Sequence, residues 1–172
     1  KGAQHSTLDK QQKIEAEKRV DPSAVILHEA ILIAGEDELE RPAVSIGFSA
    51  LAAGLTIGFS MIAEAVLRAK LPDTPWRELI TGFGYTVGFV FVTMGKQQLY
   101  TETTLTATLP VLQAPWRLGQ LLVFWAIVLV ANLAGTLLFA WAATAPGLFD
   151  PEFREAFRAM GEEAVGQDFQ HA

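Results

Sequence analysis

Gly95-Lys96-Gln97-Gln98-Leu99-Tyr100-Thr101-Glu102-Thr103-Thr104 interrupts what is otherwise one long apolar segment running from Glu78 to Leu112. As a single straight helix that segment would be about 50 Å long, well beyond a hydrocarbon core of about 30 Å even with tilt. A lysine, a glutamate and two glutamines have little reason to sit in lipid. Gly82, Gly84, Gly88 and Gly95 stand before or at the start of the interruption, with Gly84 and Gly88 at GxxxG spacing, and a second apolar stretch, Leu105 to Leu112, carries Pro110 after it. The economical reading is two half-helices, about 78–95 and 103–112, joined by non-helical backbone at membrane depth. Such backbone is tolerated only where protein or a water-lined cavity satisfies its peptide groups. Broken spans are also where carriers and channels place ion sites, because half-helix ends leave N–H and C=O groups unpaired.

The flanking sequence fits a bilayer. No charged residue occurs from Pro42 to Ala63, from Leu79 to Gly95, or from Leu118 to Phe149. Hydrophobic residues make up 51% and charged residues 19%, below the roughly 25% charged content of soluble domains, and the mean hydropathy of +0.28 averages the apolar spans with two polar ends. The expected fold is an all-α membrane protein with three transmembrane helices: a first span at 42–67, the broken second at 78–112 and a third at 118–144. A polar tail (1–21) and an amphipathic surface helix (22–41, opened by Asp21-Pro22) precede them, and a polar, helical tail (150–172) follows. Ala50, Gly54 and Gly58 form a small-residue ladder on the first span; with Gly84, Gly88 and Gly135 they are read as close-packing positions, the means by which helices associate in lipid. Asn132, a lone amide in the third span, is read as an interhelical hydrogen-bonding residue, with a pore residue as the alternative. Glu64 is read as reaching the interface.

Other classes find little support. The net charge of −6 with no basic stripe gives nucleic-acid binding nothing to stand on. The absence of cysteine excludes disulfides and thiolate chemistry. No nucleophile–base pair or metal-ligand spacing occurs in the spans, so neither a catalytic residue nor a metal or cofactor site is assigned. The threonines Thr101, Thr103, Thr104, Thr106 and Thr108 are read as satisfying broken backbone.

Read together, Gly54-Leu55-Thr56-Ile57-Gly58, the segment from Gly82 to Leu112 with its Leu99-Tyr100-Thr101, and Asn132-Leu133-Ala134-Gly135 resemble the formate/nitrite transporter family, and within it the YfdC-like branch. Leu99-Tyr100-Thr101 matches the Leu-Phe-Thr of that family's interrupted second helix. The resemblance implies an aquaporin-like fold of six spans in two inverted three-helix repeats, of which this chain supplies the first. It implies a homopentamer, multi-pass in the bacterial inner (plasma) membrane, passing small monovalent anions such as formate or nitrite with proton coupling. Leu99, Tyr100 and Thr101 would form a pore constriction. The family's central histidine has no counterpart among His5, His28 and His171, all outside the spans, so the chain is expected to be the N-terminal half of a longer protein whose fourth helix follows 150–172.

Glu102, directly after Thr101, departs from the family pattern, because a fixed negative charge beside an anion route repels the substrate unless protonated, paired or turned away. Lys96 is the available partner. Three readings of Lys96 and Glu102 stand: an ion pair fixing the break, substrate or proton handling, and interfacial residues. The first function considered is an anion channel or transporter. The second is a non-transporting assembly or sensor protein on the same scaffold, for which Glu102 has closed the anion route.

Overall fold

The computed structural model describes residues 24–145 and 147–170, and these are helical with no strand among them. The expected polar tail 1–21 and the Asp21-Pro22 helix start lie outside the described residues. The helices are α1 (Ala24–Glu40), α2 (Ala43–Lys70), α3 (Arg77–Met94), α4 (Tyr100–Gln113), α5 (Leu118–Thr144) and α6 (Pro151–Gln170), with a single 3-10 turn, Pro115–Arg117, leading into α5.

Proline and glycine set the boundaries. Pro42 precedes α2, and Leu71, forced from the α region by Pro72, ends it in extended backbone at ψ 141°. Pro115 opens the 3-10 turn before α5, and Gly147, at φ +89°, carries the reversal after α5. Asp150-Pro151 starts α6, with the Asp150 carbonyl accepting from Phe153 and Arg154. Among the described residues two elements are long and apolar enough to cross a bilayer, Ala43–Lys70 and Pro115–Thr144. The expected second span is divided: α3 and α4, 18 and 14 residues, are separated by Gly95–Leu99. α4 begins at Tyr100 rather than near 103, for a reason given by the capping described below.

α2 is the centre of the bundle, packed on α5 along one side and on α3 along the other. Small residues bring these backbones together. A Cβ on Gly54 would collide with the Asn132 carbonyl oxygen of α5, and one on Gly135 with the Leu51 carbonyl oxygen of α2. Gly84 and Gly88 of α3 face the α2 backbone at Ala63–Glu64 and at Ile57 in the same way. Ser60 fastens the second seam, accepting from Gly88 N–H at 3.0 Å and donating to the Tyr85 carbonyl at 2.6 Å. Such hydroxyl contacts and close approaches are what hold helices together where lipid is as apolar as the core.

α1 lies on α4, with Leu39 buried among Ile46, Ala50, Ala107, Val111 and Phe124. Pro110 inside α4 has no N–H for the Thr106 carbonyl, and Gly35 of α1 sits against that oxygen with no room for a Cβ. Arg117 ties the same helix down through Glu40 at 3.2 Å and Glu36 at 4.0 Å. At the opposite end, α6 folds back on α2: Phe157 is buried with Ala65 and Ala143, and Arg68 meets Glu163 at 3.0 Å.

Candidate functional site: the break between α3 and α4

The chain leaves α3 through two hydrogen bonds, Lys96 N–H to the Thr93 carbonyl and Gln97 N–H to the Val92 carbonyl, both 3.1 Å. This pattern closes a helix when the first residue past the cap is left-handed. That residue is Lys96, at φ 47°, while the glycine that takes this conformation without strain stands one position earlier, at Gly95.

The next peptide groups belong to no helix, and side chains from both spanning helices satisfy them. Ser49 Oγ of α2 accepts from Gln98 N–H at 3.1 Å. Asn132 of α5, only 8% exposed, uses both ends of its amide. Its Oδ1 accepts from Tyr100 N–H at 2.8 Å, and its Nδ2 donates to the Gln98 carbonyl at 3.0 Å and the Ala50 carbonyl at 2.7 Å. One side chain thus caps α4, closes the break and bonds α2. This explains why α4 starts at Tyr100: Leu99 is extended (ψ 130°) and offers no side-chain cap, but the first free N–H of α4 already has an acceptor. Leu99's carbonyl then accepts from Glu102 N–H, Thr103 N–H and Thr103 Oγ1.

The Leu99-Tyr100-Thr101 triplet lies at the opening turn of α4. Tyr100 is partly buried against the core, Leu99 is half-buried, and Thr101 is exposed. Of the three readings of Lys96 and Glu102, the ion pair is not formed. Both residues are exposed, and neither enters a salt bridge among the described residues. Physically the break has no need of one, since Asn132 and Ser49 already satisfy its peptides. Glu102 stands in the first turn of α4, where the positive end of a half-helix favours a carboxylate without any cation. Glu64 is part of a separate cleft of about 490 Å³ with Ser60, Arg68, Tyr85 and Thr136, towards the α6 end of the bundle.

Three features of the site escaped the sequence reading. Ser49 looks like any small residue in an apolar span. Gln98, with Asn132 and Ser49 on its peptide, is 5% exposed, and its side-chain Oε1 has no hydrogen-bond partner among the described residues. Glu38 of α1 is half-buried beside the break and accepts from Thr106 Oγ1 at 2.9 Å. Burial pushes its carboxyl above the usual glutamate range, and Glu102 adds to this. Hydrogen bonds from Thr106 and Gln98, and the Arg41 charge, pull the other way. The usable signal was spacing: Glu38 is three residues after Gly35, so whatever Gly35 approaches, Glu38 faces as well. Among the described residues no group of three or more His, Asp or Glu side chains is placed to hold a metal ion.

An interrupted helix whose break is held by an asparagine of a later apolar helix is a narrow specification. The sequence pattern of the formate/nitrite transporter family matches residues 25–172, nearly all of the described chain. The chain belongs to that family. It is 42% identical over 156 residues to the inner membrane protein YfdC of Escherichia coli (strain K12), an alignment covering 89% of this chain and 50% of YfdC. The chain therefore spans about half the length of the curated relative it matches. No solved structure matches it. The family is one of membrane transporters, and α2 and α5 are the two helices long and apolar enough to span, with α3–α4 the interrupted element between them.

Proposed function

We propose that the chain forms one half of a multi-pass conduit for small monovalent anions, such as formate or nitrite, in a bacterial inner membrane. The observation that carries this reading is the break at Gly95–Leu99: backbone opened inside a membrane fold, its exposed groups met by Asn132 and Ser49, with Leu99-Tyr100-Thr101 starting the next half-helix. Family membership supports the anion class, and the inner-membrane relative supports the location. On this reading the apolar side chain of Leu99, beside the partly buried Tyr100, strips water from the solute, and Thr101 offers a hydroxyl. A bare anion crossing such a constriction meets a large desolvation penalty, so the solute is neutralised by a proton as it passes. The finer architecture we propose is the aquaporin-like one: a second, inverted three-helix repeat completes the pore, and five copies assemble.

The test is uptake of formate and nitrite by liposomes holding the full-length protein. Glu102→Gln should raise uptake at neutral pH by removing a negative charge from the entrance of α4, and Leu99→Ala should broaden the range of anions admitted. Unchanged flux and selectivity in both variants would overturn the assignment of these residues. A second reading, a non-transporting assembly or sensor protein, is favoured by one observation: Glu102 is exposed and unpaired where an anion would dock. A stable oligomer that takes up no small anion, with or without Glu102, would support it.

A further inference from the structure

We propose that Glu38 and Gln98 form a proton-binding site at the break, in which the protonated Glu38 carboxyl gives its hydroxyl hydrogen to the Gln98 side-chain carbonyl oxygen. Three elements build the site: α1 brings Glu38, α4 brings Thr106, whose Oγ1 donates to Glu38 Oε2 at 2.9 Å, and the break brings Gln98, whose side chain lies near enough to favour the charged carboxylate. Gln98 is 5% exposed and keeps an acceptor, Oε1, that nothing among the described residues serves.

The chemistry follows from the donor inventory. An ionised carboxylate only accepts hydrogen bonds, so it engages the Gln98 NH₂ and leaves the amide oxygen orphaned. A proton taken from water onto Glu38 creates a hydroxyl, and rotation of the amide, whose two ends are alike in shape, turns Oε1 towards it. No covalent bond in the protein breaks. Protonation removes a partly buried charge and gives the amide oxygen a donor, while the NH₂ moves to the place Oε1 held. The carboxyl is held in place because Gly35, one turn earlier, is seated on the Thr106 carbonyl.

The charged groups around Glu38 are Glu102 on α4, which opposes its ionisation, and Arg41 just beyond α1, which favours it. Arg117, at the start of α5, is engaged by Glu36 and Glu40. Uptake of the proton leaves one negative charge, on Glu102, where there were two. The site goes beyond the conduit reading and does not rest on it, since every contact is between residues of this chain.

The experiment is an infrared pH titration of the full-length protein in liposomes, following the carbonyl band of protonated carboxyl groups. A band with a midpoint above the ordinary glutamate value of about 4.3 is expected, and it should be lost in Glu38→Gln. Glu102→Gln should move the midpoint to lower pH and Thr106→Val to higher pH. Gln98→Leu should shift the band to higher wavenumber, because the hydroxyl loses its acceptor. Identical spectra for the wild type and Glu38→Gln would overturn the site, as would a band indifferent to Gln98→Leu. Should Glu38→Gln fail to fold, the three neighbouring variants read the native carboxyl directly. Anion uptake in the same liposomes bears on the conduit alone, so the two readings fail separately.

Discussion

Replacing Asn132 with leucine removes three hydrogen bonds at once: from Tyr100 N–H at 2.8 Å, to the Gln98 carbonyl at 3.0 Å and to the Ala50 carbonyl at 2.7 Å. They are not equal losses. Ala50 lies inside α2, where its carbonyl keeps a helical partner, whereas Tyr100 N–H and the Gln98 carbonyl flank a break with no helical alternative. A buried peptide group left without a partner costs about 1–3 kcal/mol, so two such groups set an expected loss of about 2–5 kcal/mol. The low end applies if lipid-immersed helices find substitute partners on unfolding, as interhelical bonds of about 0.6 kcal/mol on average suggest. Leucine also changes shape beside Gly54, so Asn132→Ala is the companion variant, which opens space without crowding. Unfolding free energies of both, by steric trapping or detergent titration in micelles, give the magnitude. Location comes from a single cysteine at Leu99 in this otherwise cysteine-free sequence: thiol labelling should rise when the amide is lost and the break loosens. Stability within about 0.5 kcal/mol of wild type, together with unaltered labelling, would show that the amide does not hold the break.

Gly54→Val pushes a side chain into the Asn132 carbonyl and should cost about 1–3 kcal/mol through forced separation of α2 and α5, read in the same unfolding titration. Lys96→Gly should stabilise by about 0.5–1 kcal/mol, the left-handed cost relieved less the entropy of glycine; a loss instead would mean that the ammonium at the end of α3 matters more than its strain. Because burial raises the Glu38 carboxyl above its unfolded value, its contribution to stability is complete below that unfolded value and is lost as pH rises through the folded one. Wild type should accordingly lose ground to Glu38→Gln as pH increases through that window, measured as the difference in thermal midpoint, and a pH-independent difference would contradict the burial.

The apolar periodicity that makes α2 and α5 legible is dictated by lipid, which tolerates few polar atoms along 20 residues. The break was legible for the converse reason, since Lys96-Gln97-Gln98 cannot be read as lipid-facing. What the sequence could not supply was the identity of the groups that satisfy the broken backbone. An ion pair across the break is one of the readings the sequence offers, because Lys96 and Glu102 are the charges nearest to it. The structure uses neutral side chains remote in sequence instead, Ser49 and Asn132, and the reason is energetic. A neutral amide donates and accepts with little desolvation cost, whereas bringing two ions together at this depth strips both of water. Tertiary partners separated by 34 and 49 residues leave no local pattern to find. The docking of α1 is hidden similarly: Gly35 carries no message until Pro110 is seen to free the Thr106 carbonyl it approaches, and Glu38 none until that contact brings it to the Thr106 hydroxyl.

Charge at the start of α4 then becomes the point on which function turns. A half-helix opening inside a membrane presents positive potential that draws an anion, but here Glu102 occupies that first turn with no cation beside it, and Glu38 lies close enough to feel its charge. On the conduit reading proposed above, two ionised carboxylates there repel the solute that the half-helix attracts. Protonation of Glu38 on the Gln98 amide removes one of the two charges without moving the backbone, because the Thr106 contact and the seat of Gly35 hold α1 in place. A passing solute that carries its own proton meets less of the repulsion than a bare anion does. An acid-driven rise in uptake that Glu102→Gln flattens is therefore the signature expected of a conduit, and a protein that neither responds to acid nor to the loss of Glu102 would use this break only as architecture.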